Sequence, residues 1–114
     1  MGITELRNRF PFLRVIFDEC PVGWEKIVEE ALTELSKLEL PEDFKVVQIK
    51  EKFGGLRIYE EAAGDLRHEV WDIIVVAEQK AFKTCQDCGG TENVTTKGRP
   101  NWITTLCEVC GGDT

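Results

Sequence analysis

A chain of 114 residues, 42% apolar and 31% charged, has the balance of a folded globular protein and suits one small domain or a small domain with an appendage. Its formal net charge of -7 disfavours long nucleic acids and anionic membranes as bulk partners, so any phosphate contact must be a local exception. The longest uninterrupted apolar run, Ile73 to Ala77, is too short to cross a bilayer, and residues 1–20 lack the apolar stretch of a secretion signal.

In chain order, Leu6, Phe10, Leu13 and Phe17 suggest a helical stripe that Pro11 interrupts, leaving a short helix before it. From Trp24 to Leu38 the pattern is clear: Trp24, Ile27, Val28, Ala31, Leu32, Leu35 and Leu38 follow helical spacing, with acids and lysines opposite. Residues 44–61 change period. Two β-rich stretches flank Gly54-Gly55, which predicts a hairpin with these glycines at the centre of its turn, Phe53 opposite Leu56 and Lys52 opposite Arg57. Val47, Ile49, Phe53, Leu56 and Ile58 would then face the core, and Lys50, Lys52, Arg57 and Tyr59 the solvent. Asp65 is placed to cap a second helix running to about Lys83, whose stripe of Leu66, Val70, Ile73, Ile74, Ala77 and Ala81 is widened by Trp71, Val75 and Phe82. Such width predicts packing on two sides.

The tail carries Cys85-x2-Cys88, eighteen intervening residues, and Cys107-x2-Cys110. Two residues between cysteines let both sulfurs of a pair point to one side of a tight turn, so each pair fills two corners of a tetrahedron. Asn93–Lys97 and Trp102–Leu106 read as strands joined by a turn at Gly98-Arg99-Pro100-Asn101, and glycines follow each cysteine pair. The expectation is a zinc ribbon holding one structural Zn2+. Iron, two disulfides or four unconnected thiols are the alternatives. Five cysteines with two such pairs also suit a reducing compartment, hence a cytoplasmic address. Cys20, the odd one, reads as a small buried hydrophobe.

The lone histidine, His68, lies early in the second helix, where solvation or capping outweighs catalysis. No phosphate loop or nucleophile–base set is assembled by the pattern, so a non-enzymatic protein is expected. Lys50, Lys52, Arg57 and Tyr59 form a cationic face on an acidic protein, and Trp102 is a further contact candidate beside Lys97 and Arg99. The plainer readings are a wet strand surface and a tryptophan that seals ribbon to core.

These segments resemble a recurrent group of small proteins encoded by bacteriophages and prophages. Lys50-Glu51-Lys52-Phe53-Gly54-Gly55-Leu56-Arg57-Ile58-Tyr59 is similar to the group's most distinctive motif, and Leu6–Pro11 to its opening aromatic-proline segment. Cys20-Pro21-Val22-Gly23-Trp24 resembles its Cys-Gly-Asp-Gly-Trp segment, with Pro21-Val22 in place of Gly-Asp. Thr84-Cys85-x2-Cys88-Gly89 and Trp102 followed by Leu106-Cys107-x2-Cys110 resemble its ending. The resemblance implies an α+β core (1–84) with a terminal zinc ribbon (85–114) and a viral setting, with the host cytoplasm as its location. The expected function is binding of a host or viral macromolecule, most simply another protein, perturbing host defence or regulation. Nucleotide or short nucleic-acid binding through the basic hairpin face is the alternative, and a metal-dependent enzyme ranks last.

Overall fold

Ile27, Val28, Ala31, Leu32 and Leu35 lie along one side of α1 (Glu25–Ser36), and all are buried. Val70, Ile74, Ala77 and Ala81 do the same along α2 (Arg67–Ala81), and the two helices pack on each other. The computed structural model describes residues 2–98 and 102–111, and within them the chain is α+β. Beside the helices stand two antiparallel hairpins: β1 (Lys45–Lys52) with β2 (Gly55–Glu61), and β3 (Val94–Gly98) with β4 (Ile103–Cys107). Trp24, Leu6, Leu13, Leu32, Ile49, Leu56 and Val70 are among the fully buried side chains of the main core. Each such side chain contributes roughly 2 kcal/mol through its burial. No helix of the described residues is long and apolar enough to cross a membrane.

The amino-terminal segment forms the short helix expected before Pro11, as a 3-10 helix over Ile3–Asn8, and then runs extended beside β1. Val46 N–H donates to Phe12 O and Arg14 N–H to Val46 O, each at 2.9 Å, so β1 is paired on both edges. That explains why Leu6, Phe10 and Leu13 are buried although their spacing is interrupted by Pro11.

The first hairpin departs from the expected register by a residue at its turn. Lys52 pairs with Gly55 and Lys50 with Arg57, which puts Phe53 and Gly54 at the centre of the turn, with φ of 54° and 80°. The reason lies in what presses on the tip. Thr105 Oγ1 donates to Gly54 O at 2.5 Å, Glu51 Oε2 accepts the Gly54 N–H at 2.7 Å, and the Phe82 ring packs on Gly55. A Cβ on Gly54 would stand 2.9 Å from Thr96 Cγ2, and one on Gly55 2.9 Å from Phe82 Cζ. Both glycines are therefore there for close approach, and only Gly54 also supplies a positive φ. Phe53 consequently leaves the core and is 67% exposed. Holding a non-glycine residue in the left-handed region costs on the order of 1 kcal/mol.

A second irregularity corrects the core face of β1. The pairing shifts between Val46 and Gln48, a bulge at Val47. It turns both Val46 and Ile49 inward, leaving Val47 half-buried where strict alternation had placed it in the core.

α2 also differs from expectation. A 3-10 turn over Gly64–Leu66 precedes it, and no side chain caps it, so Asp65 is not the cap. Trp71 is 63% and Phe82 47% exposed, so the second side of the helix is left open among the described residues. Of the expected turn in the second hairpin, Arg99, Pro100 and Asn101 lie outside the described residues, as does Gly112.

Candidate metal centre

The two cysteine pairs come together. The Sγ atoms of Cys85, Cys88, Cys107 and Cys110 all lie within 4.8 Å of one another, and Cys88 and Cys107 are 3.8 Å apart. A tetrahedron of thiolates around zinc has an edge of about 3.8 Å, since the metal–sulfur bond is about 2.3 Å. A disulfide would need about 2.05 Å, and all five cysteines are free thiols. The donor set therefore fits one metal ion.

Local sequence explains the convergence. Gly89 takes φ of +80°, and its N–H donates to Cys85 O at 2.9 Å, folding the first pair into a tight knuckle. Cys85 N–H returns a bond to Gly90 O at 2.8 Å. Backbone N–H groups then aim at sulfur: Cys88 at Cys85 Sγ (3.5 Å), Gly90 at Cys88 Sγ (3.3 Å) and Cys110 at Cys107 Sγ (3.4 Å). The second pair is brought up by β4, whose last residue is Cys107, and by the helical turn Glu108–Gly111.

The electrostatics point to a cation. Burial pushes the Cys85 thiol up, but N–H donors from Cys88, Cys107 and Asp87 outweigh it and hold it at about 6. Cys110 is pushed up to about 12, chiefly by its hydrogen bond with Cys107 and then by Cys85 and Cys88. At Cys88 the Gly90 N–H favours the thiolate, yet neighbouring Cys85 and Cys107 prevail and raise it. Four sulfurs this close cannot all ionise by themselves, and a divalent ion would let them.

Three contacts seat the centre on the core, and the sequence pattern had assigned none of them. Gly23 N–H donates to Gln86 O at 2.8 Å, Trp24 Nε1–H donates to Thr84 O at 2.8 Å, and Thr105 bonds the hairpin tip as described. Gln86 locks the knuckle to β4, its N–H donating to Thr105 O and its Oε1 accepting the Thr105 N–H, both at 2.9 Å. In the sequence Gly23 stands out only within the Cys20–Trp24 segment of the resemblance. The signal available was its position beside a tryptophan, where a bare backbone lets another chain lie close.

The other expected contact residues divide. Lys50, Arg57, Lys52 and Tyr59 do share the outer face of the first hairpin, with Lys50 directly opposite Arg57 and Gln48 opposite Tyr59. Opposed like charges cost tenths of a kcal/mol. None of these cations is in an ion pair among the described residues, although the Glu78 carboxylate lies near Arg57. Trp102 does not seal ribbon to core: it is 67% exposed. His68 is exposed near the start of α2 and meets no other metal-ligating side chain in the described cluster.

Cys20 lies apart from the cluster and is buried. Desolvation, reinforced by Glu25 and Asp18, pushes its thiol from 9.0 up to about 12. Below pH 9 both the folded and the unfolded chain keep that proton; between pH 9 and 12 only the unfolded chain releases it, so stability falls across the window. Urea unfolding through this range should show a steeper loss for the wild type than for Cys20→Ala. Parallel curves would mean the thiol is not held neutral.

No protein-family model, curated protein or solved structure matches the chain.

Proposed function

We propose that the protein is a non-enzymatic binding module whose tail is locked to its core by one structural zinc ion. Cys85, Cys88, Cys107 and Cys110 would hold the ion, and thiolates at all four corners leave no position for a reacting water. The ion supplies charge neutralisation and folding free energy. The chain's own residues do the rest: Gly23 and Trp24 seat the first knuckle, and Thr105 holds the tip of the first hairpin.

What carries the binding reading is the outward face of that hairpin. On a chain of net charge -7, Lys50, Lys52 and Arg57 stand together with no ion pair among the described residues, beside the exposed rings of Phe53 and Tyr59. Opposed cations and exposed aromatic rings add little to folding, and aromatic and arginine side chains are the commonest anchors of protein contacts. A protein partner fits best. The resemblance to small phage and prophage proteins supplies the setting, a viral accessory protein acting on a host or viral component in the host cytoplasm.

Reversing Lys52 and Arg57 to glutamate should weaken capture of partner proteins from host lysate at least tenfold, about 1.4 kcal/mol. Bound metal should stay the same. Undiminished capture would remove the hairpin face from the contact. A second reading, stacking of nucleotides or a short single strand, is favoured by Tyr59 and Phe53 beside the same cations. Loss of binding with rising salt, on oligonucleotides instead of proteins, would select it.

A further inference from the structure

The contacts of Thr105 and Phe82 explain where the turn falls, but not why its first central position carries phenylalanine. The first central position of a two-residue hairpin turn with positive φ suits Asn, Asp or Gly. Here an aromatic residue occupies it at φ 54°, and its side chain is 67% exposed, so no burial offsets the strain. A residue that breaks a local rule without a folding return marks a functional position.

Its neighbours extend it into a surface. Gly55 pairs with Lys52, so both point to one face of the hairpin, and the Phe82 ring fills the space over Gly55 on that face. Ile103 Cγ2 lies 3.1 Å from where a Gly54 Cβ would be. Phe53, Phe82 and Ile103 are all partly or largely exposed. Lys52 Nζ stands 5.7 Å from the Phe53 ring centre, and Arg57 lies on the same face two residues beyond Gly55.

We propose that this tip docks an acidic segment of a partner protein, its apolar side chains on Phe53, Phe82 and Ile103 and its carboxylates on Lys52 and Arg57. The inference rests on the reading that the protein works by binding a macromolecule through its first hairpin, and it names that partner's chemistry. Apolar groups outnumber cations at the tip, so the occupant must be more apolar than charged. A nucleic acid brings a charge with every residue towards a chain of net charge -7, whereas a peptide needs only a few carboxylates between apolar anchors. The patch is built from the hairpin, the end of α2 and the ribbon, so it exists only while the ribbon is seated.

The test is selection of peptides from a random display library on the metal-loaded full chain. Fluorescence polarisation of the enriched peptides, with oligothymidylate of matched charge beside them, then gives affinities. Enriched peptides should carry Asp or Glu among Leu, Phe or Trp, and should bind at least tenfold more weakly to Phe53→Asn and to Lys52→Glu. Phe53→Asn suits the turn better, so it should raise the melting temperature by a few degrees as binding falls. A merely structural role for Phe53 would lower both. Enrichment of neutral or basic peptides, no enrichment over Phe53→Asn, or tighter binding of oligothymidylate would each overturn the proposal. If Phe53→Asn abolishes capture of proteins from lysate while acidic peptides are ignored, only the acidic chemistry falls. Undiminished capture by Phe53→Asn overturns the tip as the contact altogether.

Discussion

Removing the metal with a chelator, or replacing Cys107 by serine, should release residues 85–111 from the core and cost about 4 kcal/mol or more. The ribbon has little else to fold on. Its own buried cluster is Cys85, Leu106 and Cys107, with Val94 and Cys110 packed against them, and three of those five are cysteines. Apolar burial on that scale cannot offset the ordering of two strands and two knuckles. Without a cation the sulfurs must also share protons, because Cys85 favours the thiolate while Cys110 is held strongly neutral. The loss should spread. When Thr105 leaves, the Gly54 carbonyl loses its donor, and the first hairpin's tip loses the surface that presses on it. Metal analysis should fall from one ion per chain to background, and denaturant unfolding should split into an early step for the tail and a later one for the core. An unfolding midpoint unmoved by chelation would show that the four sulfurs do not stabilise the fold.

That coupling also explains which parts of the fold were legible beforehand. The stripe of α1 and the C-x2-C spacing were readable because each is a local periodicity with a single physical solution. The register of the first hairpin was not. Gly54-Gly55 and Phe53-Gly54 both satisfy a two-residue turn, and the choice is made by Thr105 and Phe82, residues 51 and 27 positions further along the chain. The bulge at Val47 is of the same kind, since strict alternation cannot reveal where a strand takes in an extra residue. Trp71, Phe82 and Trp102 misled in another way. Large apolar side chains raise the expectation of burial, and these three are exposed instead. The metal site was thus legible as four ligands, but its seat on Gly23 and Trp24 was not, because nothing in the local pattern links residue 23 to residue 86.

Gly23→Ala should be the most damaging single methyl group that can be added to this chain. A Cβ there would stand 2.1 Å from Cys85 O and 2.6 Å from Gln86 C, and both are backbone atoms of the first metal knuckle. Side-chain ends can swing away from a new methyl. A backbone held by Cys85 N–H to Gly90 O and by Gln86 N–H to Thr105 O cannot, without moving the sulfur it carries. Either the knuckle lifts off, which breaks the Gly23 N–H bond to Gln86 O and uncovers Trp24, or the start of α1 shifts with its buried indole. Both routes cost 3 kcal/mol or more, roughly the range of severe overpacking. Trp24→Phe separates the two: it keeps an aromatic ring, though a smaller one, and drops the donor to Thr84 O, leaving a buried carbonyl unpaired at a cost of about 1–3 kcal/mol beside that of a small cavity. If the knuckle is the part that yields, Gly23→Ala should lower metal affinity together with stability, whereas Trp24→Phe should lower stability with the metal retained. Equal, small effects from both variants would mean that the amino-terminal half and the cysteine cluster fold independently, and the socket described for Gly23 would not exist.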